Sequence, residues 1–324
     1  MWGSSIIIAA IFAGVFAATA ITDLNKAKRE KTKYNKTTTV TAILLLLPSL
    51  VLAFLFILLP ILYSLGYSFT DYYLLEPQNI RFTGIDNFIS LFNELGREGF
   101  LRHAVINTVI FVVGVVPLQI GLALALALFV NKPLKGAKIF KICFFAPVVI
   151  SLSVTSYLWS QILSSSETGL LNSIVIFFGG EAHDWLRDYE TAMPCIIVLS
   201  AWQGCGYQML IFLSGLTNVR KELYEAAALD GAGKWQTFIN VTWPGLRSTF
   251  VYILITVFIG ACRILTQPML MTGYKEQTVT ISYYMYERGY EARWVGYSSA
   301  VALLMTIVIG TVTLIQRRVL REKD

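Results

Sequence analysis

In a chain this apolar, the residues able to do chemistry are few, and they recur at helical spacings. Ser200, Gln203 and Tyr207 stand at i, i+3 and i+7 on one helical face, and Gly204 beside them leaves room. Ser153, Tyr157 and Ser160 form a second stripe, and Thr256, Gly260, Arg263 and Gln267 a third. Hydroxyls, amides and an aromatic face are the groups that bond sugar hydroxyls and stack on a sugar ring. Small polar residues also act as glue between packed helices, so each stripe has a packing reading beside the pathway reading. Arg263 poses the sharpest choice. Near the outer end of its apolar run, it snorkels, forms a structural ion pair, or faces a cavity and favours an anionic substrate such as a uronate oligosaccharide or a sugar phosphate. Trp159 and Trp202 read as interfacial anchors or as stacking platforms.

The elements that position these residues are membrane spans. Of 324 residues 56% are hydrophobic and only 14% charged, with mean hydropathy +0.62. An ordinary soluble domain carries roughly 25% charged residues, so a plain cytosolic enzyme is excluded. Disorder is excluded too, because it needs low hydrophobicity and high charge. Seven apolar runs are long enough to cross a bilayer: Ser4–Ile21, Thr41–Leu65, Ala104–Val130, Ile139–Leu163, Ala192–Leu216, Phe250–Thr266 and Ser298–Ile315. They are too long and continuous for a barrel, so the chain reads as an all-α polytopic membrane protein.

Charge orients the spans. Eighteen of the 26 Lys and Arg lie in the linker 22–40, the loops 131–141 and 217–249, and the C-terminal tail; seven lie in the alternate loops. The first set is therefore cytoplasmic, the C-terminus with it, and the N-terminus outside. The net charge of +6 is topogenic and does not indicate nucleic-acid binding. Ala18-Thr19-Ala20 resembles a signal-peptidase site, but no cation precedes the first run and six follow it, which favours an uncleaved helix. Residues 1–40 then form an extra N-terminal transmembrane helix with a basic linker, and residues 41–324 a transmembrane domain of six core spans.

Metal and enzyme chemistry find little support. Cys143, Cys195, Cys205 and Cys262 sit in or beside spans as small buried hydrophobes, and His103 and His183 have no ligand-spaced partners. No metal site is expected. The outer acids Glu167, Glu181, Asp184, Asp188 and Glu190 are the candidates for a membrane-embedded transferase, and they read as a solvated loop.

The cytoplasmic loop 217–249 carries the strongest signal. Asn218 is a candidate N-cap, Glu222–Leu229 is rich in helix formers, and Asp230-Gly231-Ala232-Gly233 breaks the helix. Lys234–Val241 reads as a second short helix, ended before Pro244. Leu223, Tyr224 and Ala227 supply an apolar surface with Glu225 beside it. Such a knob docks in a partner's groove or lies on the membrane surface.

This loop resembles the EAA motif of ABC-importer permeases: Glu225-Ala226-Ala227, three residues, Gly231, nine residues, then Val241-Thr242-Trp243-Pro244, with Trp243 where Leu is usual. The string Glu222–Ala232 is similar to the carbohydrate-importer branch, MalF-like permeases in particular. So are Asn107-Thr108, Gly215-Leu216, Gly296-Tyr297-Ser298-Ser299-Ala300, Ser68-Phe69-Thr70 and Phe82-Thr83-Gly84-Ile85-Asp86-Asn87-Phe88. Arg220 stands where the family often has Pro, and Gly273-Tyr274-Lys275 where it often has Gly-Gly-Pro.

The resemblance implies a type I ABC importer permease for a sugar or oligosaccharide, in a bacterial cytoplasmic membrane, working by alternating access. It implies a second homologous permease subunit, two ATPase subunits and an extracytoplasmic solute-binding protein as partners. Leu223, Tyr224, Glu225, Ala226, Ala227, Asp230, Gly231 and Pro244 would couple to the ATPase. Ser153, Tyr157, Ser200, Gln203, Gly204, Tyr207 and Arg263 would line the substrate pathway. No Walker A pattern occurs, so this chain would bind no cofactor, and ATP and Mg would sit on the ATPase subunits. A permease for a non-sugar cargo is the alternative.

Overall fold

A computed structural model describes residues 36–131 and 136–320. The run Ser4–Ile21, the basic stretch behind it, Lys132, Lys135 and the last four residues lie outside the described residues. These fall into two units divided after Tyr67. In the first, a helix begins at Lys36 and crosses the apolar run as Leu45–Tyr67 (α1), with a π-helical turn at Phe54–Leu58. The rings of Tyr63 and Tyr67 stack 6.1 Å apart.

The second unit is built on two long helices, Phe100–Val130 (α3) and Ala192–Asn218 (α7), with a short helix, Asp86–Leu95 (α2), ahead of them. Lipid offers no hydrophobic drive between helices, so association rests on close packing over small residues. Ala123 and Ala127 of α3 are fully buried against Met209 and Phe212 of α7. A Cβ at Gly204 would run into the Gln119 side chain, and one at Gly206 into the Phe144 carbonyl.

The third core run is not the single span expected over Ile139–Leu163. It forms Ala137–Val149 (α4) and Leu152–Ile162 (α5), bent by 97°. Pro147 weakens α4 near its end, and Ile150 and Ser151 turn extended. The fifth core run also differs. A continuous helix, Lys234–Cys262 (α9), replaces the expected short helix and separate span. A π-helical turn at Phe238–Thr242 widens the backbone so that the Pro244 ring fits without ending the helix. Asn218 is the last residue of α7 rather than an N-cap.

Among the described residues five helices are long and apolar enough to cross a membrane, or six if the bent pair is one span. The last is Val295–Leu320 (α12). Short helices Leu170–Phe177 (α6), Thr266–Met271 (α10) and Ile281–Tyr286 (α11) lie toward one end of the long helices, and Lys221–Leu229 (α8) toward the other. β-structure there is limited to the bridges Thr70–Phe82 and Tyr73–Trp294.

The end that carries α2, α10 and α11 is tied by polar side chains. The Asn87 amide donates to the carbonyls of Ser68 and Thr70 at 3.0 and 2.8 Å. The Asn107 amide donates to those of Glu276 and Val279 at 2.7 and 3.0 Å, and Thr108 accepts from the Ile281 amide. Glu94 of α2 accepts from the hydroxyls of Tyr284 and Tyr297 at 2.7 and 2.6 Å and from Arg288 at 3.1 Å. Burial pushes the Glu94 carboxyl up, but these hydrogen bonds and the Arg288 charge outweigh it and hold it below its ordinary value. In α6, buried Asn172 bonds the carbonyls of Ser164 and His183 and accepts from the Trp185 indole at 2.7 Å. His183 itself lies 3.0 Å from Asp188.

Candidate functional site

Two places concentrate the residues singled out in the sequence. On the loop between α7 and α9, α8 ends in a complete left-handed cap. Gly231 takes φ +70°, the Gly231 amide donates to the Ala228 carbonyl at 3.1 Å, and the Ala232 amide to that of Ala227 at 2.9 Å. A side chain at Gly231 would be strained in that conformation. The Gly233 amide then donates to the Gln236 side chain at 2.8 Å, which opens α9.

This turn is braced against the span behind it. The Tyr224 hydroxyl lies 3.2 Å from that of Thr242, in the π-helical turn. Buried Val219 occupies the space that a Cβ on Gly245 would need. Glu225, Ala226 and Asp230 point outward, Ala227 is half-buried, and Pro244 is exposed on the second residue of the Trp243–Cys262 segment. Leu223 is exposed as well. Leu229, at 90% exposure, and Trp235, at 70%, leave apolar surface uncovered around the turn. Trp235 is held by a stack on Phe238, centroids 5.7 Å apart.

The second place is a cleft of about 470 Å³ between α3, α7 and the C-terminal end of α9. It brings together Ser200, Thr256, Gly260, Arg263 and Gln267. The last four do not share a helical face, because α9 ends at Cys262. The turn after it returns Arg263 and Gln267 to the same wall. The Gln267 amide donates to Ser200 at 3.3 Å. Two further amides of the cleft, Gln119 and Gln208, are bonded to each other at 3.0 Å and were not among the residues singled out. A lone amide in the apolar run of α3 was the available signal for Gln119.

The other pathway candidates are placed differently. Gln203 is buried and turned away from the cleft. Its amide lies 3.3 Å from the Ile150 carbonyl, 3.3 Å from Thr155 Oγ1 and 3.5 Å from the Pro147 carbonyl. It thus takes up oxygens that the break in the third core run leaves free. Gly204 abuts Gln119. Ser153, Tyr157 and Tyr207 are exposed and do not line this cleft. Trp159 and Trp202 pack together with centroids 5.7 Å apart.

Residues 10–323 match the protein family described as binding-protein-dependent transport system inner membrane component. The chain is 33% identical over 270 residues to the arabinooligosaccharides transport system permease protein AraP of Bacillus subtilis, covering 82% of this chain and 84% of that protein. It is 31% identical over 284 residues to the lactose transport system permease protein LacF of Rhizobium radiobacter, covering 85% and 92%. A chain of a bacterial alginate ABC transporter, crystallised with an alginate pentasaccharide-bound periplasmic protein, shares the fold. Its TM-score is 0.74 at 21% identity, over 93% of this chain and 99% of that one.

Proposed function

This chain belongs to the family of binding-protein-dependent transport system inner membrane components, a multi-pass membrane permease, and from that premise we propose that it carries a sugar or oligosaccharide through an ABC importer. The observation that carries the reading is the capped turn at Gly231, a compact apolar knob at the inner end of a helix that runs unbroken to the polar cleft.

The knob is a coupling element for a separate ATPase subunit. Leu223, Ala227 and the exposed Trp235 supply the apolar contact, Glu225 and Asp230 the polar one, and Tyr224 and Pro244 join the turn to the span. ATP and Mg belong to that subunit, and this chain binds no cofactor. The cleft is this chain's share of the pathway, with Ser200 and Arg263 on its wall. A second homologous permease subunit would supply the facing wall, and a solute-binding protein would deliver cargo to the outer side. The excess of Lys and Arg on alternate loops supports a cytoplasmic C-terminus and an N-terminus outside.

The test is purification of the tagged chain from its native membrane in mild detergent, followed by identification of what accompanies it. A second permease and an ATPase are expected, with ATP hydrolysis stimulated by a sugar-loaded binding protein. A chain that emerged alone, where a known importer stays whole, would sink the assignment.

A further inference from the structure

We infer that Arg263 makes this permease selective for an acidic sugar, one whose carboxylate or phosphate is received by its guanidinium. The inference rests on the importer reading and adds the chemical class of the cargo. Arg263 follows the last residue of α9, with its backbone amide bonded to the Gly260 carbonyl at 3.1 Å. Among the described residues its guanidinium has no hydrogen bond and no ion pair. Arg263 is exposed at the end of its helix, so its charge is open to an anion brought by the cargo.

The surroundings favour that reading over a structural role. Arg263 lines two clefts at once, the one of about 470 Å³ already described and another of about 620 Å³ beside α11 and α12. No Asp or Glu lines either cleft. The first offers the neutral amides of Gln119, Gln208 and Gln267; the second offers the hydroxyls of Ser282 and Ser298. Tyr286 and Tyr290 also line the second cleft, their rings stacked at 5.2 Å and 17°. Neutral donors and acceptors bond hydroxyls, an aromatic pair packs on a pyranose face, and the guanidinium fork matches an oxyanion through two parallel hydrogen bonds. The single charge in both clefts is therefore positive, and its complement is an anionic sugar.

The experiment uses the whole importer in proteoliposomes with its own binding protein. ATP hydrolysis and uptake are measured with oligogalacturonate, oligoglucuronate and oligomannuronate, with the carboxyl-reduced neutral form of each, and with glucose 6-phosphate. The expected result is that an acidic member is the cargo and that its neutral form is carried at least about tenfold more slowly. Arg263→Gln should slow the acidic cargo by about tenfold or more and so remove most of its lead over the neutral form, while Arg263→Lys restores part of the rate. The carboxylates and the phosphate ester distinguish the two sources of the oxyanion. A neutral cargo, or an acidic one carried equally by Arg263→Gln, would overturn this inference and leave the importer reading standing. Arg263→Gln subunits that separate on gel filtration would assign Arg263 to the interface and overturn it also. If no sugar stimulates hydrolysis, the carbohydrate reading falls as well.

Discussion

The amide of Gln203 lies 3.3 Å from the carbonyl oxygen of Ile150, the residue at which the third core run leaves helical geometry. A bent span exposes backbone oxygens that lipid cannot satisfy, and irregular backbone at membrane depth persists only where the protein supplies partners. Gln203→Leu is expected to leave the oxygens of Pro147 and Ile150 unpartnered and to lower stability by about 1–3 kcal/mol. Thermal unfolding in detergent checks this; an unchanged midpoint would mean that water or lipid headgroups already serve these oxygens.

Glu94 predicts a pH dependence. Its folded carboxyl is held below the ordinary value of 4.5, so the folded chain binds that proton less tightly than the unfolded one. The resulting stabilisation is complete above the ordinary value and is lost as pH falls through the lowered folded value. The unfolding midpoint should therefore decline on acidification below about pH 4.5, and Glu94→Gln should flatten that part of the profile. A variant that follows the wild-type curve throughout would remove Glu94 from the account.

At the turn, Glu225 is exposed, so Glu225→Lys should leave the unfolding midpoint within about 0.5 kcal/mol of wild type. Sugar-stimulated ATP hydrolysis should nevertheless be lost. Normal uptake by the variant would remove Glu225 from the coupling surface.

Gly206 predicts a packing defect. A Cβ there would meet the Phe144 carbonyl, a backbone atom that cannot swing aside. Gly206→Ala is expected to destabilise by about 1–3 kcal/mol as α4 and α7 move apart. Gly260→Ala is the control, because nothing lies within 4 Å of a Cβ at that position.

Local chemistry is what the sequence made legible. The long apolar runs announced α3 and α7, and Asp230-Gly231 announced the inner turn, because a left-handed cap depends on residues within one helical turn of it. The break in the third core run did not show, since proline occurs in many intact spans and the partner that stabilises the bend, Gln203, is 53 residues beyond Ile150. The stripe from Thr256 to Gln267 predicted the right neighbours for the wrong reason. These residues meet because the chain turns after Cys262 and folds back, not because one helix continues. Gln203 was assigned to the pathway by the same face logic, and only tertiary packing turned it inward. Pro244 read as a helix stop because a proline normally is one; the π-helical turn before it overrode that expectation.

That turn has a mechanical result. With Pro244 accommodated, α9 is a single rod of 29 residues, about 43 Å long at about 1.5 Å per residue. The Gly231 cap is at one end and Arg263 is at the other. If such a rod pivots near the cap, a tilt of about 5° sweeps its far end through nearly 4 Å, by the same rise per residue. That displacement exceeds the length of a hydrogen bond. A small rotation forced at the Gly231 turn, beyond what the π-helical turn near the pivot absorbs, is thus magnified into making or breaking contacts in the cleft.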